Sequence, residues 1–425
     1  MNKKMKLLVL TSHLPYPLDE GGKISQYAFA EKLQDLLDLH YIVVAGNLSE
    51  LAHANAFKDS LKNAKVHILD ISKIVITTPT LGKTRIKNLI KAFLRIFKPR
   101  KDTVIKPSLV RDDYQKKFNI FREIDERFVN GIMDITAHLA PDIIQVEHSG
   151  FLSIVEVLPD DIKKIFVHHE IQYARLESYR TPQTAYEIYK RNFLRDIELN
   201  LLSKYDHVLT FSQDDKLKLS CVLDIPVISS PFPVLDDFFE EKKIEDFAIN
   251  KIVFIGPEVH EPNYDAVLWY HDTIAEQVYL ATGLITHIVG KWSEETIVNL
   301  TKPYLVFDGF VSDIKMHNRN SLVIVPLRMG SGIRTKIIYA MAQSLPVIST
   351  SIGCEGLGAQ DGCQLIIRDE IMDFKNAIVD LVQNMEYAFK ISQEGYKLTK
   401  FNFSQDSLVQ NRLNIYKEII ESEEK

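Results

Sequence analysis

Two cations, Arg334 and Lys336, follow directly on a pair of glycines, Gly330 and Gly332, in the stretch from Val325 to Leu357, VPLRMGSGIRTKIIYAMAQSLPVISTSIGCEGL. The apolar run Leu322 to Leu327 before them reads as a buried parallel strand, the glycine pair as a tight loop, and the residues after it as a helix. Another strand begins at Pro346. Backbone N–H groups at such a helix start lack intrahelical partners, and the helix dipole adds partial positive charge, so this kind of loop receives anions. A helix gains nothing from cations in its own first turn. Arg334 and Lys336 make sense there if a phosphate-bearing ligand arrives between them. The plain alternative is a βα unit with two solvated basic residues.

Three further groups have types and positions suited to chemistry. The loop TSHLPYPLDEGGKISQY follows the first apolar run and carries Gly21 and Gly22 where a helix begins. Glycine there permits positive φ and a close backbone approach to a ligand, or simply a tight turn. In IIQVEHSGFLS, residues 143 to 153, a strand ends near Glu147 and leaves His148 at its edge, as a ligand contact or a structural hydrogen-bonder. In FVHHEIQYARLESY, residues 166 to 179, His168 or His169 stands with Glu170 at the next strand end. Adjacent residues do not easily converge on one ion, and no HExxH occurs, so no metal site is expected.

The long string around Arg334 resembles the donor-binding segment of GT-B glycosyltransferases, in particular the broad family 4 of retaining enzymes (glycosyl transferases group 1). Its usual form is close to P-L-x-x-G-S-G-x-R-x-K-x-x-E-A-M-A-x-G-x-P-V-V-S-T-x-x-G-x-E-G-L. The resemblance covers about thirty positions and does not specify a sugar. It implies a nucleotide diphosphate sugar held mainly by the C-terminal half. Arg334, Lys336 and the N–H groups of Ser331, Gly332 and Ile333 would stabilise the leaving diphosphate, with Gly21 and Gly22 facing it across a cleft. It implies that His148 lies near the transferred sugar and counts with Arg334 and Lys336 as catalytic. Glu147, His168, His169 and Glu170 fall on the acceptor side, the last three in a segment similar to H-[NE]-x-E-Y-x-x-x-R. Neither a metal nor a cofactor beyond the nucleotide sugar is implied.

The chain departs from the family pattern in places. Pro257 follows Gly256, and no lysine precedes the next helix, so the charge neutralisation falls to Arg334 and Lys336. This matches a subgroup with a G-x-x-x-x-x-P-N-x-x-A string, in which Asn263 would face the ligand. Tyr339 stands where the family has a glutamate for the donor ribose, and Ser331 stands eight residues before it in place of a second carboxylate. A phenol makes one hydrogen bond and not the bidentate grip of a carboxylate on a diol. Ser344 replaces a glycine, whereas Glu355 in GCEGL is retained, either to contact sugar or ribose or to serve as a helix-start carboxylate.

Positioning these groups requires alternating strands and helices. Short apolar runs at Leu7–Thr11, Tyr41–Ala45, Val66–Leu69, Ile143–Val146, Ile165–His168, Val208–Phe211 and Val227–Ser229 alternate with amphipathic stretches at Lys23–Leu39, Phe118–Leu139 and Thr184–Lys204. A second series runs through Ile252–Ile255, Ile285–Val289, Val306–Phe307, Leu322–Pro326, Val347–Ser349 and Leu365–Ile367. The expectation is an α/β chain of two Rossmann-like doubly wound domains facing a central cleft, residues 1–235 and 251–403, joined by the acidic segment Pro231–Asn250. A last helix, Ser404–Glu421 within 404–425, would pack back on the N-terminal domain if the resemblance holds.

With 425 residues, 46% hydrophobic and 25% charged, the chain suits two domains and a globular class. A net charge of -6 excludes an obvious nucleic-acid binder. Three scattered cysteines, Cys221, Cys354 and Cys363, suggest a reducing compartment, and the first apolar run is too short for a signal peptide. One segment opposes the overall charge: Lys83–Lys106 has nine Lys and Arg against one Asp, with apolar residues at roughly helical spacing. A basic amphipathic helix suits an anionic membrane surface, or packs on its own domain with solvated lysines.

The reading is therefore a cytoplasmic glycosyltransferase, peripheral on the inner face of the membrane through 83–106. It would pass sugar to a glycan or lipid-linked glycan in surface polysaccharide or glycoconjugate biosynthesis. A nucleotide-sugar 2-epimerase and a non-catalytic GT-B partner subunit are the alternatives.

Overall fold

The computed structural model describes residues 4–18, 21–70, 120, 123–179, 184–330 and 332–421. Two parallel sheets organise it. The first has seven strands in the order β3-β2-β1-β4-β5-β6-β7: β1 Lys6–Thr11, β2 Asp38–Ala45, β3 Lys65–Asp70, β4 Ile143–Glu147, β5 Lys163–His168, β6 His207–Thr210 and β7 Val227–Ser229. The second has six in the order β10-β9-β8-β11-β12-β13: β8 Lys251–Ile255, β9 Thr286–Val289, β10 Leu305–Gly309, β11 Ser321–Val325, β12 Val347–Ser349 and β13 Ile366–Ile367. Both are doubly wound α/β sheets, and together they form the GT-B architecture.

The sequence of each strand explains its burial. Parallel strands are covered by helices on both faces and so read as continuous apolar runs. Leu7, Leu8, Val9 and Leu10 in β1 and Leu322, Val323, Ile324 and Val325 in β11 are all fully buried. Helix starts are fixed by side-chain caps: Asn47 accepts from Glu50 N–H, Ser212 from Asp215 N–H, and Thr184 forms a capping box with Glu187. The helical stretch read as Lys23–Leu39 is the helix Gly21–Leu36, and β2 takes over at Asp38. The run LQDLLDL fits both periods, and Leu39, Tyr41 and Val43 decide the matter by entering the core as a strand.

The acidic connection 231–250 is packed and not a free tether. Phe232, Val234, Phe247 and Ile249 are buried between the domains' cores. The last helix, Gln405–Glu421, lies on the N-terminal domain. Gln405 Nε2 donates to Ala28 O (2.8 Å), and the fully buried Arg412 donates to Ser230 Oγ (2.7 Å) with its guanidinium over the Phe29 ring. Among the described residues no helix is long and apolar enough to cross a membrane. The basic stretch 83–106 lies outside the described residues.

Candidate functional site

Each sheet reverses its winding at one place, and ligands of open α/β sheets sit outside the carboxyl ends of strands there. In the first sheet the reversal lies between β1 and β4, whose last residues, Thr11 and Glu147, are in register. In the second it lies between β8 and β11. The segments that follow these four strands carry Gly21, Gly22, His148, Asn263, Arg334 and Lys336, whereas His169 and Glu170 follow β5 and Glu355 follows β12.

The two lobes meet at these loops. Gly21 begins the helix Gly21–Leu36, and a Cβ there would fall 2.2 Å from Thr335 Oγ1, the first residue of the helix Thr335–Ala342. A Cβ on Gly332, whose φ is +79°, would stand 3.7 Å from His169 O. Thus two helix N-termini, one from each domain, face the same space, and both favour negative charge there. Gly22 lies beside His148, and Gly356 packs on Ser212 across the gap. Lys218 and Glu355 bridge the lobes at 3.3 Å, so Glu355 is held at the interlobe seam by an ion pair.

The C-terminal face of this space is cationic. Arg334 occupies the N-cap of its helix, with its guanidinium folded over Gly330, where a Cβ would come within 2.9 Å of Nη2. Lys336 donates to Asn263 Oδ1 (2.7 Å) and lies over the Phe254 ring at 4.4 Å. Burial, with Arg334 adding repulsion, pushes the Lys336 ammonium down to about 7. Asn263 is itself buried and anchored by a bond from Nδ2 to Pro257 O (3.0 Å). Ile333 is half-buried beside this loop, and Ser331 lies outside the described residues. Tyr339 packs its ring on Phe238 at 4.6 Å, and its hydroxyl is buried without a hydrogen-bond partner. Burial raises its pKa far above the ordinary phenol value.

The N-terminal face is built of imidazoles over a buried amide and carboxylate network. His148 has φ +67° and ψ 147°, a conformation that L residues rarely adopt and that surrounding structure must hold. Its ring sits between His13, with centroids at 4.4 Å, and His169 at 3.7 Å. Gln26 Nε2 donates to His148 Nε2 (2.5 Å), which leaves the neutral ring's proton on Nδ1. Desolvation, with His169 and His13 nearby, holds His148 well below the usual histidine range. Glu147 is buried and accepts from His169 Nε2 (2.5 Å) and Gln145 Nε2 (2.6 Å). Gln145 in turn accepts from Tyr416 OH (2.5 Å), so the last helix reaches the floor of the site.

Not every residue read from the segment 166–179 arrives here. His168 is turned into the core, where Nε2 bonds Glu198 Oε1 at 2.9 Å. Glu198 is fully buried and also accepts from the N–H groups of Gln172 and Tyr173. Glu198, on the helix Ala185–Leu202, thus ties His168 at the end of β5 to the start of the helix Gln172–Tyr179, and His169, just past the strand, is left to the cleft. Glu170 pairs with Arg175 at 3.2 Å. The sequence reading passed over His13, Gln26, Gln145 and Tyr416. His13 carried a signal, two residues past the end of β1, but the other three are joined only by the fold.

An imidazole stack held over a carboxylate suits neutral hydroxyls, and the opposed helix starts with Arg334 and Lys336 suit a polyanion. Residues 249–384 match the family model described as Glycosyl transferases group 1. An uncharacterized 44.6 kDa protein in the cps region of Klebsiella pneumoniae is 23% identical over 416 residues, 93% of this chain and 97% of that one. Among solved structures, HepE from Anabaena in complex with UDP and glucose superposes with a TM-score of 0.63 at 12% identity, covering 97% of this chain and 99% of that one. TarM of S. aureus gives 0.66 at 13%, covering 97% and 99%. Sucrose-phosphate synthase from Thermosynechococcus elongatus gives 0.65 at 13%, covering 98% and 100%. At such identities the structural likeness carries the fold.

Proposed function

We propose that this glycosyltransferase of GT-B fold, whose residues 249–384 match the group 1 model, takes a nucleoside diphosphate sugar as donor and transfers the sugar with retention to a glycan or lipid-linked glycan. The observation that carries this is the meeting of two helix starts, Gly21 and Thr335, beside Arg334 and Lys336. A diphosphate placed there is met by N–H groups from both lobes and by two cations. Arg334 suits it as a forked donor, and Lys336 as a point charge.

In the reaction the bond from the anomeric carbon to the phosphate oxygen breaks, and charge develops on the diphosphate. Fixed dipoles and cations already aimed at that position stabilise it without reorganisation. The acceptor hydroxyl forms the new bond from the same face, and its proton passes to the departing phosphate oxygen. His148, neutral and oriented by Gln26, lines the side where the sugar and acceptor hydroxyls lie. His169 and Glu147 border the acceptor side. Glu355 and Asn263 border the donor. Contact of both lobes with one ligand excludes water from the reacting centre.

Support for a nucleotide sugar comes from the HepE structure, solved with UDP and glucose. Support for surface polysaccharide as the product comes from the cps-region relative. The basic segment 83–106 would add peripheral contact with an anionic membrane that carries the acceptor. Co-sedimentation with anionic but not neutral vesicles is the expected result.

The deciding experiment is a panel of nucleotide sugars assayed for nucleotide release with wild type and Arg334→Ala. Release by wild type, with a loss of about 10²-fold or more in the variant, supports the reading. Formation of an epimer, or no donor binding at all, would replace it with an epimerase or a partner subunit.

A further inference from the structure

Two imidazoles and one carboxylate converge near the outer edge of the second sheet, on β9, β10 and the short helix Ile314–His317. His287 Nδ1 and His317 Nε2 lie 2.8 and 2.7 Å from one oxygen, Asp308 Oδ2. The three ligand atoms all lie within 4.8 Å of one another, and among the described residues this is the one such group of His, Cys, Asp or Glu. We propose that His287, Asp308 and His317 bind a divalent transition-metal ion of the zinc class, which pins the edge strands β9 and β10 to the helix behind them.

Two features show a built arrangement and not a chance encounter. First, β10 pairs with β9 through Phe307↔Ile288 and resumes at Gly309↔Val289, so Asp308 is the extra residue of a β-bulge. Bulges between parallel strands are rare, and their effect is to re-aim a side chain. Gly309 follows with φ +70°, which a glycine adopts freely. Second, the far nitrogen of His317, Nδ1, lies 3.4 Å from Oδ1 of the buried Asn318. A ligating histidine commonly donates its other N–H to such an acceptor, which fixes ring and tautomer.

In the metal-bound state His287 carries its proton on Nε2 and His317 on Nδ1, and the freed nitrogens and Asp308 Oδ2 face the ion. Lys251, half-buried at the start of β8, feels the Asp308 charge and is the competing cation nearby. Two imidazoles and a carboxylate select zinc-like ions over magnesium or calcium, which prefer all-oxygen sites. The side chains are partly open to solvent, 25%, 24% and 16% exposed, so an ion can enter, and water completes its coordination. The group lies on β9 and β10, away from the β8–β11 switch point, and serves no step of sugar transfer. The expectation of no metal site considered cysteine spacing and short histidine motifs. These three residues lie on separate elements, and only the fold joins them.

The test is calorimetric titration of the full, chelator-treated chain with zinc chloride at pH 7.5, alongside thermal melts. One site of micromolar affinity or tighter is expected, with a rise in Tm that magnesium does not reproduce. Asp308→Asn and the double change His287→Gln with His317→Gln should abolish both signals while leaving the circular dichroism spectrum unchanged. Asn318→Ala should weaken binding about tenfold. Absence of zinc binding, or binding that survives in both ligand variants, overturns the proposal. So does binding lost only in His148→Asn, which would assign the ion to the imidazole stack in the cleft.

Discussion

Gly21 and Thr335 belong to different domains, yet no side chain fits between them: a Cβ on Gly21 would come 2.2 Å from Thr335 Oγ1 and 2.8 Å from Thr335 Cβ. The contact sets how closely two helix N-termini approach one ligand. Gly21→Ala must push the lobes apart, though alanine is otherwise the better helix residue. Misplacement of about 1 Å costs catalysis on the order of 10²-fold. The expected outcome is such a loss in kcat/KM with Tm unchanged, and recovery in the double variant Gly21→Ala with Thr335→Gly. Failure of the second change to restore any activity would count against this packing account.

Lys336 links donor binding to protons. In the free protein its ammonium is pushed down to about 7, whereas an unfolded lysine titrates near 10.4. Between these values the unfolded chain binds more protons, so the destabilisation contributed by Lys336 fades as pH rises through that window and is fully present below it. A bound diphosphate favours the charged form. Binding therefore takes up close to one proton above pH 7, and affinity falls as pH rises. Calorimetry of UDP in buffers of different ionisation heat reads the uptake directly. Lys336→Met should abolish it.

His148 combines backbone strain with a chemical role. Its φ of +67° is costly for any residue with a Cβ, by about 1–3 kcal/mol, and free for glycine. His148→Gly should therefore be more stable than His148→Ala by about 1 kcal/mol, the reverse of the usual order. Both should lose activity by about 10²-fold or more. Because burial and the flanking imidazoles hold the wild-type ring well below the usual histidine range, protonation of His148 should not limit the rate near pH 6.5. Denaturant melts and a pH profile of kcat check the two halves of this prediction.

Glu198 offers the contrasting case of a buried carboxylate with a structural task. It accepts from His168 and from two backbone N–H groups at a helix start. Glu198→Ala leaves these donors unsatisfied and should cost about 3–5 kcal/mol, seen as a large fall in denaturation midpoint. Activity per folded molecule should stay near wild type. A variant of normal stability and lost turnover would instead move His168 and Glu198 into the site.

The strand pattern was legible because parallel strands covered on both faces must be apolar throughout, as Leu7–Leu10 and Leu322–Val325 are. Ambiguity arose where one run satisfies both periods, as at LQDLLDL, and packing of Leu39 and Tyr41 settled it. Arg334, Lys336 and the glycines were legible because glycine loops and first-turn cations have local physical reasons. His148 was legible from its place at a strand end.

The linear chain by itself thus determined two doubly wound sheets and a cationic glycine loop, since periodicity and helix-end electrostatics act over a few neighbouring residues. Only the tertiary structure decided that His168, the last residue of β5, is held inward by Glu198 while His169, just past the strand, joins the stack of His148 and His13. It alone set Tyr416 beneath Gln145, Thr335 against Gly21, and His287 beside Asp308 and His317. Those contacts join residues up to 314 positions apart, and their geometry follows from how whole layers pack, which no local spacing encodes.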